Sequence, residues 1–90
     1  MKQRRSREEV IFDMLDAIKK KGGTIKPTHL LYKANLSHDA MRRYLAELLS
    51  AGLMQEQQIK KKKFYALTDN GYHFIERYQK FREFSEAFGI

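Results

Sequence analysis

The 90-residue chain contains no cysteine and no apolar run approaching the roughly 20 residues that a membrane-spanning helix requires. The missing cysteine excludes a disulfide framework, a thiolate metal site and a cysteine nucleophile. The basic N-terminus is followed by Glu8 and Glu9 instead of the apolar segment of a signal peptide. We therefore expect a cytoplasmic protein that is neither exported nor inserted in a membrane.

Signals for catalysis and metal binding are also missing. There is no Gly-rich phosphate-binding loop, and His29, His38 and His73 fall on three different predicted helices without a carboxylate or cysteine at ligand spacing. No cluster suggests an acid, base and nucleophile acting together. We therefore expect no metal, no cofactor and no small-molecule substrate, and we predict that the protein is not an enzyme.

Positive charge is what the chain has in excess, with 18 Lys and Arg against 11 Asp and Glu and a formal net charge of +7. Residues 1–68 hold fifteen of the basic residues and seven of the acidic ones, whereas residues 69–90 hold three and four. This balance favours a polyanionic partner, because neutralising phosphates releases condensed counterions. The last segment is not part of the basic surface.

Helix signals are strong in the first half of the chain. Ser6 and Glu9 form a capping-box pattern ahead of an apolar stripe that ends at Gly22-Gly23. After a short extended link at residues 24–25, Pro27 is suited to the first position of a second helix. A third helix follows after a turn of a few residues, and this arrangement is a helix-turn-helix.

The third helix has an inward stripe of Met41, Leu45 and Leu48, so its other face is predicted to meet solvent. An arginine there can bind guanine O6 and N7, and a serine at a helix N-terminus can contact a phosphate. The alternative is that these arginines only keep an exposed helix face in contact with water and bind no partner. The candidate DNA-contacting residues of this helix are Ser37, His38, Asp39, Arg42 and Arg43.

A basic hairpin and a basic arm supply further candidates. Residues 53–59 and 64–68 are predicted to be strands, and because their connection contains neither Gly nor Asn, a tight primed turn is disfavoured. The hairpin lysines repel one another until phosphates approach, although lysines also protect strand edges from aggregation. The candidates are Lys60, Lys61, Lys62 and Lys63 in the hairpin, with Arg4 and Arg5 in the arm.

Aromatic residues concentrate in the last predicted helix, which begins at Thr68 or Asp69 and extends to about Phe88. Such a helix exposes more rings than a small domain can cover, so we predict a homodimer, the alternative being a helix packed wholly on its own domain. Tyr32 and Tyr44, on the second and third helices, are interpreted as core or boundary residues. The predicted dimerisation residues are Phe74, Tyr78, Phe81, Phe84 and Phe88.

The predicted fold is mostly α with a small β-hairpin: a winged helix-turn-helix with the order helix, helix, helix, strand, strand and a long C-terminal helix. We expect a basic arm over residues 1–7, a DNA-binding domain over 8–68 and a dimerisation helix over 69–90. The function that follows is non-enzymatic binding of double-stranded DNA by a homodimer, as a transcriptional regulator or a nucleoid-associated chromatin protein. The alternative is a protein-interaction adaptor on the same scaffold.

Four segments carry a family resemblance, namely Leu30–Ser37, Tyr44–Leu49, Gly52-Leu53 and Phe64–Gly71. They resemble the archaeal winged-helix proteins of about ten kilodaltons found with chromatin, and the match covers most of residues 8–80. The resemblance implies binding of double-stranded DNA and an antiparallel coiled-coil dimer formed by the last helix. It also implies that Ser37, His38, Arg42 and the hairpin lysines face DNA. The last helix departs from that family in being shorter and richer in phenylalanine.

Overall fold

A computed structural model describes residues 5–89. Its elements are α1 (Arg7–Lys20), β1 (Thr24–Ile25), α2 (Pro27–Lys33), α3 (His38–Ser50), β2 (Met54–Ile59), β3 (Lys62–Leu67) and α4 (Asp69–Ala87). The predicted winged helix-turn-helix is confirmed, with one addition. The segment interpreted as a link is the strand β1, so the hairpin is part of a three-stranded sheet.

Helix α1 begins with the capping box that the sequence indicates. The Glu9 backbone N–H donates to the Ser6 hydroxyl at 3.1 Å, and the Ser6 backbone N–H donates to the Glu9 carboxylate at 2.8 Å. The hydrogen bonds with Ser6 lower the pKa of Glu9, because they favour its charged form. Since the first helical residue is Arg7, the predicted basic arm overlaps the helix by one residue.

The turn between α2 and α3 is fixed by backbone hydrogen bonds. Asn35 adopts a φ of 55°, a conformation that asparagine tolerates better than most residues. The Asn35 N–H donates to the Tyr32 carbonyl at 3.1 Å, and the Leu36 N–H donates to the Leu31 carbonyl at 3.2 Å, which is a Schellman motif. Ser37 then caps α3 with its hydroxyl. These local bonds set the direction in which α3 leaves the turn.

The sheet has β3 in the centre, with β1 and β2 antiparallel on either side. In β1, Thr24 pairs with Ala66 and Ile25 pairs with Tyr65. Two residues are too few to show the alternating pattern of a strand, so the sequence gives no sign of this pairing. The pairing ties the start of α2 to the hairpin.

The hairpin turn contradicts the sequence-based expectation. Because Ile59 pairs with Lys62, the turn consists of Lys60 and Lys61 alone, with φ values of 51° and 68°. Two successive positive φ values define the primed turn that suits the twist of two antiparallel strands. Non-glycine residues adopt this conformation at a cost of roughly 1–2 kcal/mol each. The other two lysines, Lys62 and Lys63, lie in β3 and not in the connection.

The core lies between α1, the sheet and the inner faces of the other helices. Its largest fully buried side chains come from every helix and from two strands: Met14, Leu15, Ile18, Ile25, Leu30, Leu48, Met54 and Ile75. Within residues 5–89 no buried side-chain nitrogen or oxygen lacks a hydrogen bond. The core therefore fixes α3 and the hairpin on one rigid scaffold.

Helix α4 starts where the chain backbone is closely packed. The Gly71 N–H donates to the Thr68 hydroxyl at 3.1 Å, and that hydroxyl donates to the Gly52 carbonyl at 2.6 Å. A Cβ atom on Gly71 would clash with the backbone oxygen of Leu53 and would lie 2.7 Å from Leu67 Cδ1. The approach of α4 to the sheet therefore requires glycine at this position.

We expect Gly71→Ala to destabilise the fold by roughly 1–3 kcal/mol, because the added methyl group forces the backbone of α4 away from the α3–β2 connection. Thermal unfolding measured by circular dichroism checks this. Asn70→Ala, one residue earlier and exposed, is the control and should melt close to the wild-type temperature. Equal melting of the two variants would show that α4 is not held at Gly71.

Candidate nucleic-acid interface

The outward face of α3 is exposed and charged. Met41 and Leu48 are buried beneath it, whereas the side chains of Asp39 and Arg42 are 84% and 77% exposed. These two form an ion pair at 3.1 Å. An exposed pair one helical turn apart contributes only a few tenths of a kcal/mol, so Arg42 can leave Asp39 for a stronger partner at little cost.

The other α3 candidates differ in their surroundings. His38 and Arg42 line one side of a shallow groove of about 260 Å³, and Thr28 of α2 lies on the opposite side. Arg43 is exposed and lies near Glu47, which pairs with Arg7 of α1. The sequence-based list did not include Thr28. Pro27 places Thr28 in the first turn of α2, but only the packing of α2 beside α3 brings it to this groove.

Small and aromatic residues widen this surface. Ala46 and Ser50 are exposed at helical spacing from Arg42 and Arg43, so the α3 face is unobstructed along its length. Tyr44 packs partly against the core as expected. The interpretation of Tyr32 as a core or boundary residue is wrong, since it is 79% exposed. It belongs to the outer surface of α2.

The hairpin projects its lysines as a tip, which we call the wing. Lys60 and Lys61 occupy the turn, and Lys62 and Lys63 begin β3. Lys63 pairs with Glu56 of the neighbouring strand at 3.4 Å. Within residues 5–89 the other three wing lysines form no ion pair, and all are exposed.

The basic arm is used differently from the wing. Arg4 lies outside the described residues. Arg5 donates to the Asp13 carboxylate at 2.8 Å and to the Asn35 carbonyl at 2.9 Å. Its side chain therefore ties α1 to the turn of the helix-turn-helix. As it stands, Arg5 supports the orientation of α3 from within the protein.

Two of the predicted dimerisation residues pack inside the protomer. Tyr78 stacks on Phe12 of α1 with ring centroids 4.9 Å apart, and Phe74 lies 6.1 Å from Tyr78. The Arg82 guanidinium covers Phe12 and Tyr78 at 5.7 and 5.9 Å from the two ring centres. Burial raises the pKa of the Tyr78 hydroxyl, because the phenolate would lose its hydration. This aromatic group fastens α4 to α1.

The other three phenylalanines remain in solvent. Phe81, Phe84 and Phe88 are 63%, 56% and 68% exposed. Phe84 and Phe88 are one helical turn apart, with ring centroids separated by 4.6 Å. We call these three residues the phenylalanine stripe. It is an apolar surface in the C-terminal half of α4, beyond the rings that pack on α1.

Other kinds of site find no support among the described residues. Over residues 5–89 no group of three His, Asp or Glu side chains is arranged to hold a metal ion. In the same range no helix combines the length and the apolar character needed to cross a bilayer. Among the exposed groups are the α3 face, the wing and the phenylalanine stripe.

The architecture, with an exposed third helix and a projecting hairpin, defines a winged-helix domain. A family model described as winged helix-turn-helix matches residues 4–86. The chain therefore belongs to the winged helix-turn-helix family. A search of curated proteins found no match.

Solved structures share the fold at low sequence identity. Sso10a-2, a DNA-binding protein from Sulfolobus solfataricus, superposes with a TM-score of 0.80 at 21% identity, over 93% of this chain and 85% of its own. F93 from STIV, a winged-helix DNA-binding protein, gives 0.77 at 14% identity over 88% and 92%. A putative transcriptional regulator from Pseudomonas aeruginosa gives 0.76 at 19% over 98% and 62%. The resemblance to archaeal winged-helix proteins is confirmed by the family and the fold.

Proposed function

We propose that this protein binds double-stranded DNA, with α3 in the major groove and the wing on the phosphate backbone. The observation that carries the proposal is that one rigid scaffold exposes both a charged helix face and an unpaired lysine tip. A helix of this size fits the major groove, and lysines neutralise phosphates without reading sequence. The similar structures from Sulfolobus solfataricus and STIV are both described as DNA-binding proteins.

Each candidate residue has a separate role in this proposal. Arg42 and Arg43 face base edges, where an arginine binds guanine through two hydrogen bonds. Asp39 orients Arg42 in the free protein through their 3.1 Å pair and can accept a hydrogen bond from a cytosine amino group. Ser37 and His38, at the start of α3, are proposed to contact the phosphate backbone of DNA, and the same role is proposed for Arg4 of the arm. No step requires bond making, so the protein acts without catalysis.

A second copy of the chain covers the phenylalanine stripe in this proposal. Three neighbouring rings that are each more than half exposed are unfavourable in water. Overlap of the C-terminal halves of two α4 helices would bury them. In an antiparallel overlap, Arg77 and Lys80 lie near the C-terminus of the partner helix, which is the negative end of its dipole. In a parallel overlap the same residues would lie next to their own copies, and like charges repel. A homodimer would then present two α3 helices to one duplex.

The biological role that fits these features is a transcriptional regulator or a nucleoid-associated chromatin protein. The Pseudomonas aeruginosa structure with a similar fold is described as a putative transcriptional regulator. The alternative is a protein-interaction adaptor, which the phenylalanine stripe also suits. Fluorescence anisotropy with a random-sequence duplex at two salt concentrations separates the two roles. DNA binding predicts steeply salt-dependent affinity, and an adaptor predicts no binding.

We expect Arg42→Ala to reduce discrimination at one base position of a DNA site selected from a random pool, by roughly 1–3 kcal/mol, because its contacts with a base edge are lost. Competition between the selected duplex and single-base variants measures this. Lys19→Ala, which removes an exposed lysine of α1, is the control for loss of charge. An equal loss on every sequence would identify Arg42 as a backbone contact.

A further inference from the structure

Three lysines from separate parts of the chain converge around His29. Lys21 caps the C-terminus of α1, Lys26 precedes α2, and Lys33 is the last residue of α2. The pKa of His29 is lowered by desolvation and then by the positive charges of these three lysines. We call the three lysines and His29 the α1–α2 lysine cluster. No sequence motif indicates this cluster, because its members are spread over thirteen positions and are brought together only by the fold.

The cluster lines two adjoining cavities. A cleft of about 530 Å³ between α1 and α2 holds Lys21, His29 and Lys33. A second cavity of about 310 Å³ shares Lys21 and His29 and continues to Lys26 and to Phe64 of the central strand. The cluster therefore reaches the base of the wing. It lies across α2 from the groove between α2 and α3, which Thr28 and Leu31 line.

The acidic groups near the cluster are already paired. Asp13 accepts from Arg5 at 2.8 Å, and Asp16 pairs with Lys20 at 2.9 Å. Among residues 5–89 the three cluster lysines form no ion pair, although Lys21 and Lys33 line the same cleft as these carboxylates and Lys20. The fold thus gathers like charges and leaves them without a counterion from the protein. A bound polyanion removes the repulsion.

We propose that the α1–α2 lysine cluster is a second phosphate-binding surface that takes the sugar-phosphate backbone of DNA in addition to α3 and the wing. The inference rests on the proposed DNA binding. The backbone can come from the flank of the duplex that α3 contacts or from a second duplex. Both sources offer the same chemistry, which is a row of phosphates at spacings that several lysines can follow.

The test compares two triple variants of equal charge. Lys21→Gln/Lys26→Gln/Lys33→Gln removes the cluster, and Lys19→Gln/Asn70→Asp/Gln79→Glu lowers the net charge by the same three units at exposed positions elsewhere. Anisotropy titrations over a range of salt should give a slope of log affinity against log salt that is smaller by about 2–3 for the cluster variant, at about 0.9 per phosphate contact. The control should keep the wild-type slope. Equal slopes in wild type and the cluster variant would overturn the inference while leaving the proposed function intact.

A local readout is independent of any loss of folding in the variants. In the wild-type protein, nuclear magnetic resonance titration of His29 should show its pKa rising when the duplex is added, because nearby phosphates offset the three lysines. His73 on α4 is the internal control. An unchanged His29 pKa in the DNA complex would overturn the inference. Failure of the wild-type protein to bind any duplex would instead overturn the proposed function, and the inference with it.

A capture experiment separates the two sources of phosphate. It uses Phe81→Asp as background, at duplex concentrations above the weaker dissociation constant expected of that monomer, so that two domains of a dimer do not each hold one duplex. Retention of a free labelled duplex on bead-bound duplex, lost in the cluster variant, identifies a second duplex. A cluster-dependent salt slope without such retention identifies the flank of the first duplex.

Discussion

Replacing Lys60 and Lys61 with Asn and Gly will make the protein more stable and its DNA binding weaker. Both lysines adopt positive φ values of 51° and 68°, which asparagine and glycine adopt more easily. We expect a gain of about 1–2 kcal/mol, which raises the melting temperature by roughly 5–15 °C in a domain of this size. Loss of two phosphate contacts should lower affinity roughly 10- to 100-fold near 0.1 M salt.

The matched control is Lys60→Gln/Lys61→Gln. It removes the same two charges and keeps side chains that are strained at positive φ, so it should bind DNA as weakly as the Asn-Gly variant without the gain in stability. Thermal unfolding and anisotropy titration of the three proteins measure both effects. Wild-type affinity in both variants would remove the wing tip from the interface. A lower melting temperature for the Asn-Gly variant would contradict the turn geometry.

The second large effect is expected from Phe81→Asp, which should convert the proposed homodimer to monomers. The substitution places a carboxylate in the centre of the phenylalanine stripe, where dimer formation would have to bury it without a partner. Sedimentation equilibrium measures the change in mass. Gln79→Asp introduces the same charge on α4, roughly 200° around the helix, and should leave the dimer intact. In the proposed dimer two domains bind one duplex by multivalency, so the monomer should also bind DNA roughly 10²- to 10⁴-fold more weakly.

A wild-type protein that sediments as a monomer would reject the dimer outright. A dimer that persists in Phe81→Asp would move the interface away from the stripe. Phe74→Ala and Tyr78→Ala distinguish these residues from the stripe, because they lie against α1 and the core. Their loss should lower the melting temperature and have little direct effect on the oligomeric state.

The wing tip and the α1–α2 lysine cluster have a common physical basis. In both places the protein keeps lysines where the free chain would be more stable without them, at positive φ in one and close to like charges in the other. Native proteins keep locally unfavourable conformations or charge groupings at sites where a bound ligand relieves or uses them. The ligand that we propose for both is a phosphate backbone.

Most of the helical scaffold could be predicted because its signals act over a few residues. The Ser6 and Glu9 capping box, the Ser37 cap and the end of α3 at Gly52 each depend on neighbours within one or two turns. The outward position of Arg42 follows from the helical period alone. The wing was predicted as a hairpin for the same reason, since its strands are adjacent in the chain.

The features that the sequence did not determine depend on contacts between distant segments. Strand β1 exists because Ile25 pairs with Tyr65 across forty residues of chain. The two-residue turn at Lys60 is imposed by the register of the strands against the preference of lysine itself. Local periodicity placed Phe74 and Phe81 on one side of α4, but only the position of α1 decided which ring is covered. The sequence by itself determined the elements and the outward side chains of α3, and the tertiary structure decided which charges and rings meet, because packing energies are set by neighbours in space and not in sequence.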